Sequence, residues 1–454
     1  MSLKYTPVDE IKAKTLPLPF RRAQLLQIAR LFQENNERLT AALTADLGRH
    51  KLEISLPEMG LHHLWRCSCC RVEKPTVEEW RSSWDTSVYT VPKGVVLIIG
   101  PWNYPYVTTM LPLVGAMAAG CPCIVKPSEF NPHCAQLLAE LFPKYLDQSA
   151  YRIVNGAAAE TTALLDLKWD HIFLLLAVAA LAESSLLQLS STLRLSRSRL
   201  GSKSPVYIDP SNTDIDLAAK RILWGKQQNS GTGMPICVAP DYILVPRAHQ
   251  DARGGGLQKG LRDFLAPSQG RSGREIRIRR HPEPLTTTPG LMDLLGRTKG
   301  DIVLGGKAEG TKRIEPTIVA NVKLGDALME EELFGPIIPI VPVDGLTEAI
   351  QIIRDGINLL SRIITYSDDR RVSVLESTQS GTLVLNDTFM QLGGEESGYG
   401  SYLGKHSFNT FVHRRSYINV PRSFEPFNAY RYPPYSEEAF QVLSGPANVQ
   451  IPPQ

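Results

Sequence analysis

The sequence predicts an α/β fold in which a doubly wound parallel sheet is followed by a second α/β domain. The first supporting observation is that short, wholly apolar runs alternate with helix-like segments between residues 95 and 154. This is the order that builds a doubly wound sheet. The second observation is that the same alternation begins again after Gly201. The chain of 454 residues is also long enough for about three domain-sized units.

Two amphipathic helices are predicted ahead of the sheet, between residues 21 and 47. Apolar residues recur there at helical spacing, first within Leu25–Phe32 and then at Leu39, Leu43 and Leu47. We expect both helices to cover an α/β core. An edge strand is predicted at Val88–Val91, because the turn signal Pro92-Lys93-Gly94 follows it directly.

The first sheet is predicted from continuous apolar strands. Val95–Ile99 is mostly β-branched and ends at Gly100-Pro101, which is typical of a strand covered on both faces of a parallel sheet. The common dinucleotide motif Gly-x-Gly-x-x-Gly does not follow this strand. The elements predicted after it are a helix at Leu111–Ala119, a strand at Cys123–Val125, a helix at Cys134–Phe142 and a strand at Tyr151–Val154.

The second α/β domain is predicted from the same kind of alternation. Its first elements are a strand at Pro205–Ile208, a helix at Ile215–Trp224 and a strand at Asp241–Val245. Further strands are predicted at Ile302–Leu304, Thr317–Val319, Ile337–Val341 and Thr382–Leu385.

The composition is that of an ordinary soluble globular protein. Hydrophobic residues make up 43% of the chain and charged residues 21%, both close to the averages for that class. These values exclude a wholly disordered, a collagen-like or a multi-span membrane protein. The 49 basic and 46 acidic residues give a net charge of +3, so we expect no nucleic-acid partner.

The cysteines and the apolar runs indicate the cellular location that is expected for the protein. Seven cysteines form no secretory framework, so reduced thiols and a cytoplasmic location are expected. Residues 67–70 hold three of them without a second ligand pair at zinc-site spacing, so no metal is expected. The apolar run at residues 174–189 is shorter than the ~20 residues a membrane span needs and contains Glu183. We therefore expect no integral membrane anchor, while peripheral membrane contact stays open.

Cys237 and Asn103 are candidates for catalysis. Cys237 follows the glycine-containing segment 229–236, and glycine allows backbone to pack closely against a ligand. Asn103 follows a buried parallel strand, where its amide could donate to a developing oxyanion. The residues alone leave a second interpretation for each, because a lone cysteine is often a small core residue and asparagine is common in turns.

Two further groups of residues are candidates for binding a nucleotide. Lys126 and Glu129 follow the second strand, where a cation and a carboxylate suit a ribose or a phosphate. Glu332 and Phe334 end an acidic run, and together they could hold a ribose and a ring. From the residues alone, a solvated loop pair explains Lys126 and Glu129 at least as well. An acidic run is usually a solvated face too, but Phe334-Gly-Pro336 directly behind it favours binding more strongly.

In order, these motifs resemble those of the aldehyde dehydrogenase superfamily, and most closely its short class-3 branch, which includes fatty aldehyde dehydrogenases. The resemblance extends from about residue 18 to about residue 415. The segments that carry it are Pro101-Trp-Asn-Tyr-Pro105, Lys126-Pro-Ser-Glu129, Trp169-Asp-His-Ile-Phe173, Cys237-Val-Ala-Pro-Asp-Tyr242, Glu332-Leu-Phe-Gly-Pro336 and Glu396-Ser-Gly-Tyr-Gly400.

The resemblance implies NAD- or NADP-dependent oxidation of an apolar aldehyde, either medium- to long-chain or aromatic, to the acid. It makes Cys237 the nucleophile that forms a thiohemiacetal and then a thioester, Asn103 an oxyanion donor and Glu332 a candidate base. The positions that it assigns to cofactor binding are Trp102, Lys126, Glu129 and Phe334, with Glu332 beside the nicotinamide ribose. It places Tyr104 in the wall of the aldehyde tunnel, and it implies a homodimer.

The resemblance also implies an architecture. A Rossmann-like cofactor domain over residues 1–200 would be followed by an α/β catalytic domain over 201–388. A bridging strand is expected near 82–93. Residues 389–430 would return to the cofactor domain and the bridging β element, and residues 431–454 would form a tail.

Several positions depart from the family pattern. Leu174 follows Phe173 where the family has the first residue of a glycine turn, and Arg199 stands where it has a catalytic glutamate. Three extra residues separate Asn229 from Cys237 relative to the family spacing, and Pro235 lies two residues before Cys237. The loop before Glu396 also lacks the family's Pro-Phe-Gly-Gly.

These departures support a second interpretation, namely a catalytically impaired homologue or a decayed gene product. Residues 174–199 contain nine Leu, six Ser and three Arg, with no Gly or Pro. Out-of-frame translation over-produces those three residue types, so we hypothesise a compensated frameshift there, and another at 268–290. An acylating or semialdehyde member of the superfamily is a weaker third interpretation.

Overall fold

The described part of the chain follows the predicted alternation of strands and helices, and the predicted α/β fold class is confirmed. In the computed structural model this part comprises residues 16–49, 51–55, 58–59, 74–77, 79–174, 203–209, 213–226, 236, 238–247, 288–309, 313–356, 362–366, 371–388 and 404–444. The chain divides into two compact units. The first combines residues 1–68 with 93–411, and the second combines residues 69–92 with 412–454.

The strands are β1 (Asp85–Pro92), β2 (Val96–Ile99), β3 (Cys123–Lys126), β4 (Tyr151–Ile153), β5 (His171–Leu174), β6 (Pro205–Ile208), β7 (Tyr242–Pro246), β8 (Asp301–Leu304), β9 (Ala308–Glu309), β10 (Arg313–Ile314), β11 (Thr317–Ala320), β12 (Ile337–Val343), β13 (Arg362–Tyr366), β14 (Thr382–Leu385) and β15 (Val412–Asn419).

The α-helices are α1 (Leu18–Glu34), α2 (Asn36–Leu47), α3 (Lys51–Ser55), α4 (Val107–Ala119), α5 (Pro132–Tyr145), α6 (Ala158–Leu165), α7 (Ile215–Lys226), α8 (Thr288–Arg297), α9 (Leu346–Gly356), α10 (Arg371–Ser377), α11 (Lys405–Thr410), α12 (Glu425–Asn428) and α13 (Glu437–Ser444). Short 3-10 turns lie at Glu79–Arg81, Ala327–Met329, Arg422–Phe424 and Ala429–Arg431.

The first sheet is parallel and has the order β4-β3-β2-β5. Every residue of β2 is buried, as its continuous apolar sequence predicts for a strand covered on both faces. The chain runs outward from β2 to β3 and β4, and then returns to β5 on the other side of β2. Such a reversal is a topological switch point, and ligands bind beyond the carboxyl ends of the strands that meet there.

The second sheet has the order β14-β13-β6-β7-β12-β11-β8 and is parallel except for the antiparallel pair β8 and β11. Successive residues of a strand point to opposite faces, and β6 shows this clearly. Val206 belongs to an apolar cluster with Ile222 of α7, whereas Tyr207 belongs to a different cluster with Leu294 of α8. Apolar side chains therefore cover both faces.

Helix α4 begins at Val107, four residues before the predicted start at Leu111. Its first turn is held by threonine hydroxyls, because Thr108 Oγ1 donates to the Tyr104 carbonyl oxygen at 2.6 Å and Thr109 Oγ1 to that of Pro105 at 2.5 Å. Polar residues that bond to the backbone in this way lack the apolar periodicity on which the prediction was based.

The second unit contains the antiparallel pair of β1 and β15, in register from Asp85 opposite Asn419 to Pro92 opposite Val412. Strand β1 includes the predicted edge strand Val88–Val91. Strand β15 was not predicted, because Val412 is its only buried residue and the other positions are exposed. Within the described residues, no helix combines the length and the apolar character that crossing a bilayer requires.

Gly115 lies where α4 meets α11. A Cβ atom there would lie 2.6 Å from the Ser407 Cβ and 2.7 Å from the Ser407 carbonyl carbon and oxygen. Because backbone atoms cannot swing away, we expect Gly115→Ala to destabilise the protein by about 1–3 kcal/mol. The unfolding midpoint in urea measures this loss.

Gly296 of α8 provides the matched control, because a Cβ there meets nothing within 4 Å among the described residues. Gly296→Ala should leave the midpoint unchanged or raise it, since alanine favours a helix by up to ~1 kcal/mol over glycine. Equal midpoint changes for the two variants would contradict the close contact at Gly115.

Candidate active site

The candidate site begins with the loop that follows β2. Trp102, Asn103 and Tyr104 are all buried, just beyond the carboxyl end of a central parallel strand. The guanidinium of Arg49 donates to the main-chain carbonyl oxygen of Asn103. The same guanidinium lies over the Tyr104 ring, with its Cζ atom 4.0 Å from the ring centroid. One cation thus supports two successive residues of the loop.

Arg49 is paired with Glu58, and both side chains are almost fully buried. Their Nη1 and Oε1 atoms are 3.0 Å apart, and the side chains are 1% and 0% exposed. The other Glu58 oxygen accepts the N–H of Val107 at 2.7 Å, at the start of α4. Burial raises the pKa of Glu58, while the Arg49 charge opposes that rise. The ion pair therefore joins α4 to the loop that carries Asn103.

Tyr104 connects this loop to the segment around Cys237. It belongs to a buried cluster with Ile236, Val238 and Ala239, and the first two of these flank Cys237 in the sequence. Val107 and Trp224 pack against the same cluster. Cys237 itself lies outside the described residues, as do Arg199, the segment 175–200 and the segment 268–287. Ile236, Val238 and Ala239 therefore lie beside the loop that carries Asn103.

Lys126 and Glu129 lie at the same edge of the first sheet as Asn103. Lys126 is the last residue of β3 and pairs in register with Ile99 of β2. Its Nζ donates to Glu129 Oε2 at 2.6 Å. The lysine side chain is buried, whereas that of Glu129 is 32% exposed. An ammonium has three donors, so further hydrogen bonds from Lys126 can go to a ligand.

The indole of Trp102 supplies another donor at this edge. Its Nε1 is buried and has no acceptor within the described ranges of the chain. Leaving such a donor unsatisfied costs about 1–3 kcal/mol, and a bound ligand would remove that cost. A ribose or pyrophosphate offers the acceptors that Trp102 and Lys126 need. These residues therefore fit the nicotinamide dinucleotide that the family resemblance implies.

Glu332 and Phe334 precede β12 of the second sheet, at the amino end of that strand. Phe334 is buried and Glu332 is half-buried. The peptide group of Leu333, between them, is bound on both sides. Its N–H donates to Asp241 Oδ1 at 2.9 Å, and its carbonyl oxygen accepts Lys226 Nζ at 3.1 Å. Asp241 follows Cys237 by four residues, so the Glu332 segment is hydrogen-bonded to the chain that continues from the candidate nucleophile.

The described residues that the sequence predicted for the site thus lie in two groups, one at an edge of each sheet. Trp102, Asn103, Tyr104, Lys126 and Glu129 lie at the carboxyl edge of the first sheet. Glu332 and Phe334 lie at the amino ends of the second sheet.

Sequence reasoning missed several charged residues of this region, namely Arg49, Glu58, Lys203, Lys226 and Asp241. One signal was available, since Asp241 directly precedes a wholly apolar strand and is therefore placed at its buried end. The described residues contain no cluster of three or more metal-binding side chains, and residues 67–70 lie outside them.

Comparison with known proteins identifies the family of the chain. The profile of the aldehyde dehydrogenase family matches residues 9–417. Aldehyde dehydrogenase family 3 member A2 of Mus musculus is 37% identical over 444 residues, which cover 93% of this chain and 89% of that protein. The dimeric NADP-preferring aldehyde dehydrogenase of Rattus norvegicus is 37% identical over 445 residues, covering 93% and 94%.

Among solved structures, the substrate-bound state of Staphylococcus aureus AldH superposes with a TM-score of 0.78. It is 28% identical in sequence, and the match covers 95% of this chain and 100% of that one.

Proposed function

Because the chain belongs to the aldehyde dehydrogenase family, we propose that it oxidises an apolar aldehyde, medium- to long-chain or aromatic, to the carboxylic acid with NAD or NADP. The observation that carries this proposal is the packing of Tyr104 against Ile236 and Val238. It brings the Asn103 loop next to the segment that contains the only sequence candidate for a nucleophile. The apolar neighbours of Tyr104 favour an apolar substrate.

In the proposed reaction, the Cys237 thiolate adds to the carbonyl carbon and forms a C–S bond. The side-chain amide of Asn103 donates to the resulting oxyanion, which stabilises it most where charge develops. A bound nicotinamide supplies the acceptor for the hydride that leaves this carbon, and a thioester remains on Cys237. Water then cleaves the thioester to the acid and the free thiol, with Glu332 accepting the proton from that water.

The cofactor would be held by residues of both sheets. Trp102 and Lys126 offer donors to its phosphates and ribose hydroxyls, and Glu129 offers an acceptor. Glu332 and Phe334 suit the ribose and ring at the nicotinamide end. The rat relative is named NADP-preferring, while the tight Lys126–Glu129 pair leaves a carboxylate where a ribose hydroxyl would bind. We propose NAD or NADP for this chain.

The proposal includes a homodimer in the cytoplasm. The rat relative is named dimeric. The odd number of cysteines favours a reducing compartment.

The test is aldehyde-dependent formation of NADH or NADPH by the purified chain, followed by absorbance. Hexanal, hexadecanal and benzaldehyde cover the proposed substrate class, and acetaldehyde serves as the small polar comparison. We expect turnover with the first three and a lower kcat/KM with acetaldehyde. No turnover with any aldehyde would favour the catalytically impaired homologue, which Arg199 at the family's glutamate position also favours.

Trp102→Phe should weaken cofactor binding. The substitution removes the buried N–H that has no acceptor in the described part of the protein and keeps an aromatic ring. A hydrogen bond to a charged acceptor contributes about 1.5–3 kcal/mol, so the KM for the cofactor should rise roughly 10- to 100-fold with little change in the KM for the aldehyde.

Trp169→Phe is the matched control, because its Nε1 donates inside the protein to the Leu164 carbonyl oxygen at 2.6 Å. It should leave the cofactor KM unchanged. A Trp102→Phe variant with the wild-type cofactor KM would show that the indole N–H binds no ligand.

A further inference from the structure

Asp241 lies at the centre of a buried ionic cluster at the amino ends of the second sheet. Its Oδ2 accepts Lys203 Nζ at 2.7 Å. Its Oδ1 accepts the Leu333 N–H at 2.9 Å and lies 3.5 Å from Lys226 Nζ. Both carboxylate oxygens are therefore engaged, one by each lysine, and one of them also binds main chain.

The two lysines extend this cluster along the chain that leads to Glu332. Lys203 Nζ donates to the carbonyl oxygens of Leu328 and Glu331, at 3.0 and 2.8 Å. Lys226 Nζ donates to that of Leu333 at 3.1 Å. Residues 330–336 form no helix or strand, so their position depends on bonds of this kind. We call Lys203, Lys226 and Asp241 the lysine–aspartate clamp.

The clamp is unusual because its three charged side chains are largely removed from solvent. The side chains of Lys226 and Asp241 are 1% and 3% exposed, and that of Lys203 is 16% exposed. Burial lowers the pKa of Lys226, and the charges of Asp241 and Glu332 oppose that change. Well-packed apolar residues are often as stable as a buried ionic group, or more so. Stability alone therefore does not explain two cations gathered around one carboxylate at this place.

The position of the clamp suggests another role. Lys203 lies two residues before β6, Asp241 directly precedes β7, and Lys226 is the last residue of α7. Asp241 lies four residues after Cys237. The segment whose main chain the clamp binds continues through Glu332, Leu333 and Phe334. The clamp thus joins the chain that continues from the candidate nucleophile to the chain that carries two candidate cofactor ligands.

We propose that Lys203, Lys226 and Asp241 are positioning residues, which fix the Glu332–Phe334 segment, and through it the nicotinamide end of the cofactor, relative to Cys237. The part that concerns the cofactor rests on the proposed function. The part that concerns the segment does not, because it follows from the hydrogen bonds alone. Mispositioning by about 1 Å can cost on the order of 100-fold in rate.

Hydrogen exchange tests whether the clamp holds residues 328–336 in place, and it needs no substrate or cofactor. We expect the peptide that contains residues 328–336 to exchange at least tenfold faster in Asp241→Asn and in Lys226→Met than in the wild type. The peptide that contains β2 should exchange as in the wild type. Lys220→Met is the control, because Lys220 is exposed on the same helix as Lys226. Lys203→Met, at the more exposed end of the clamp, covers the case in which a buried variant does not fold.

Titration with NADH or NADPH, followed by tryptophan fluorescence, tests the link to the cofactor. In the clamp variants we expect the Kd for the cofactor to rise at least tenfold, with the KM for aldehyde within about threefold of the wild type. Unchanged exchange at 328–336 would overturn the clamp. Faster exchange with an unchanged cofactor Kd would overturn its role towards the cofactor. If the wild type bound no cofactor and oxidised no aldehyde, the proposed function would fail, and the exchange data would still decide whether the clamp holds the segment.

Discussion

We expect Cys237→Ala to abolish aldehyde oxidation, with a loss of at least about 10⁴-fold in kcat, because alanine cannot form the thioester on which the proposed reaction depends. Cofactor binding should persist, since alanine removes the nucleophile without changing Trp102, Lys126 or Glu129. The measurement combines aldehyde-dependent NADH formation with a fluorescence titration of the cofactor.

Cys134→Ala is the matched control for this substitution. Cys134 is a buried free cysteine of α5, and burial raises its pKa well above the ordinary value. It therefore remains a thiol at neutral pH and is not a nucleophile. Its alanine variant should keep most of the activity. Equal activity of the Cys237→Ala variant and the wild type would show that the chemistry does not use this thiol.

Arg49→Met should be the most damaging substitution for stability outside the apolar core. It removes the only cation paired with Glu58 among the described residues and leaves a buried carboxylate bound to the Val107 N–H. Breaking a buried ion pair on one side costs about 3–5 kcal/mol. The free energy of unfolding in urea measures the loss. Because burial raises the pKa of Glu58, the loss should shrink as the pH falls and the carboxyl becomes neutral.

Two further variants separate the cost of an unpaired charge from the cost of a lost contact. The double variant Arg49→Met with Glu58→Gln should recover much of the stability, because no buried charge remains. Arg38→Met removes an exposed cation that is 2.8 Å from Glu140, and solvent screening leaves a surface pair of this kind with little effect on stability. A loss at Arg49 no larger than the loss at Arg38 would contradict the importance of the buried pair.

Much of the fold could be predicted because its strands are covered on both faces. Continuous apolar runs such as Val95–Ile99 and Pro205–Ile208 have few other structural explanations, and their spacing leaves room for the intervening helices. Strand β15 was missed for the converse reason. Its side chains are largely exposed, so hydrogen bonds to β1 rather than apolar burial define it.

The site was predictable where a general rule connects topology to binding. Asn103 and Lys126 follow parallel strands, and the carboxyl ends of such strands meet at one edge. The second sheet contributes the amino ends of β6, β7 and β12 instead. A buried strand has the same apolar pattern in either direction, so the sequence does not indicate which end faces the site.

The partners of the buried charges could not be recognised from the sequence. Asp241 contacts the main chain of Leu333, which is 92 residues away, and Arg49 contacts that of Asn103, which is 54 residues away. The apolar strand after Asp241 indicates that this residue lies at a buried strand end, but it does not indicate the partner. Nothing local distinguishes Arg49 from the charged residues of an ordinary surface. Asp241 and Arg49 meet these partners only in the folded protein, where the sheets and helices are packed together.

The most direct test of thiol catalysis is the mass of the protein during its first turnover. Enzyme mixed with NAD⁺ and hexanal is quenched in acid at successive times, and intact mass and peptide mapping locate any acyl group. Arg199 in place of the family's glutamate leaves Glu332 as the one candidate base of the proposed reaction. Hydrolysis should therefore be slower than thioester formation, and the acyl-enzyme should accumulate. We expect one acyl group on Cys237, formed together with NADH and only when NAD⁺ is present. NADH formed without an acyl group on Cys237, or the acyl group found on another residue, would contradict the proposed reaction.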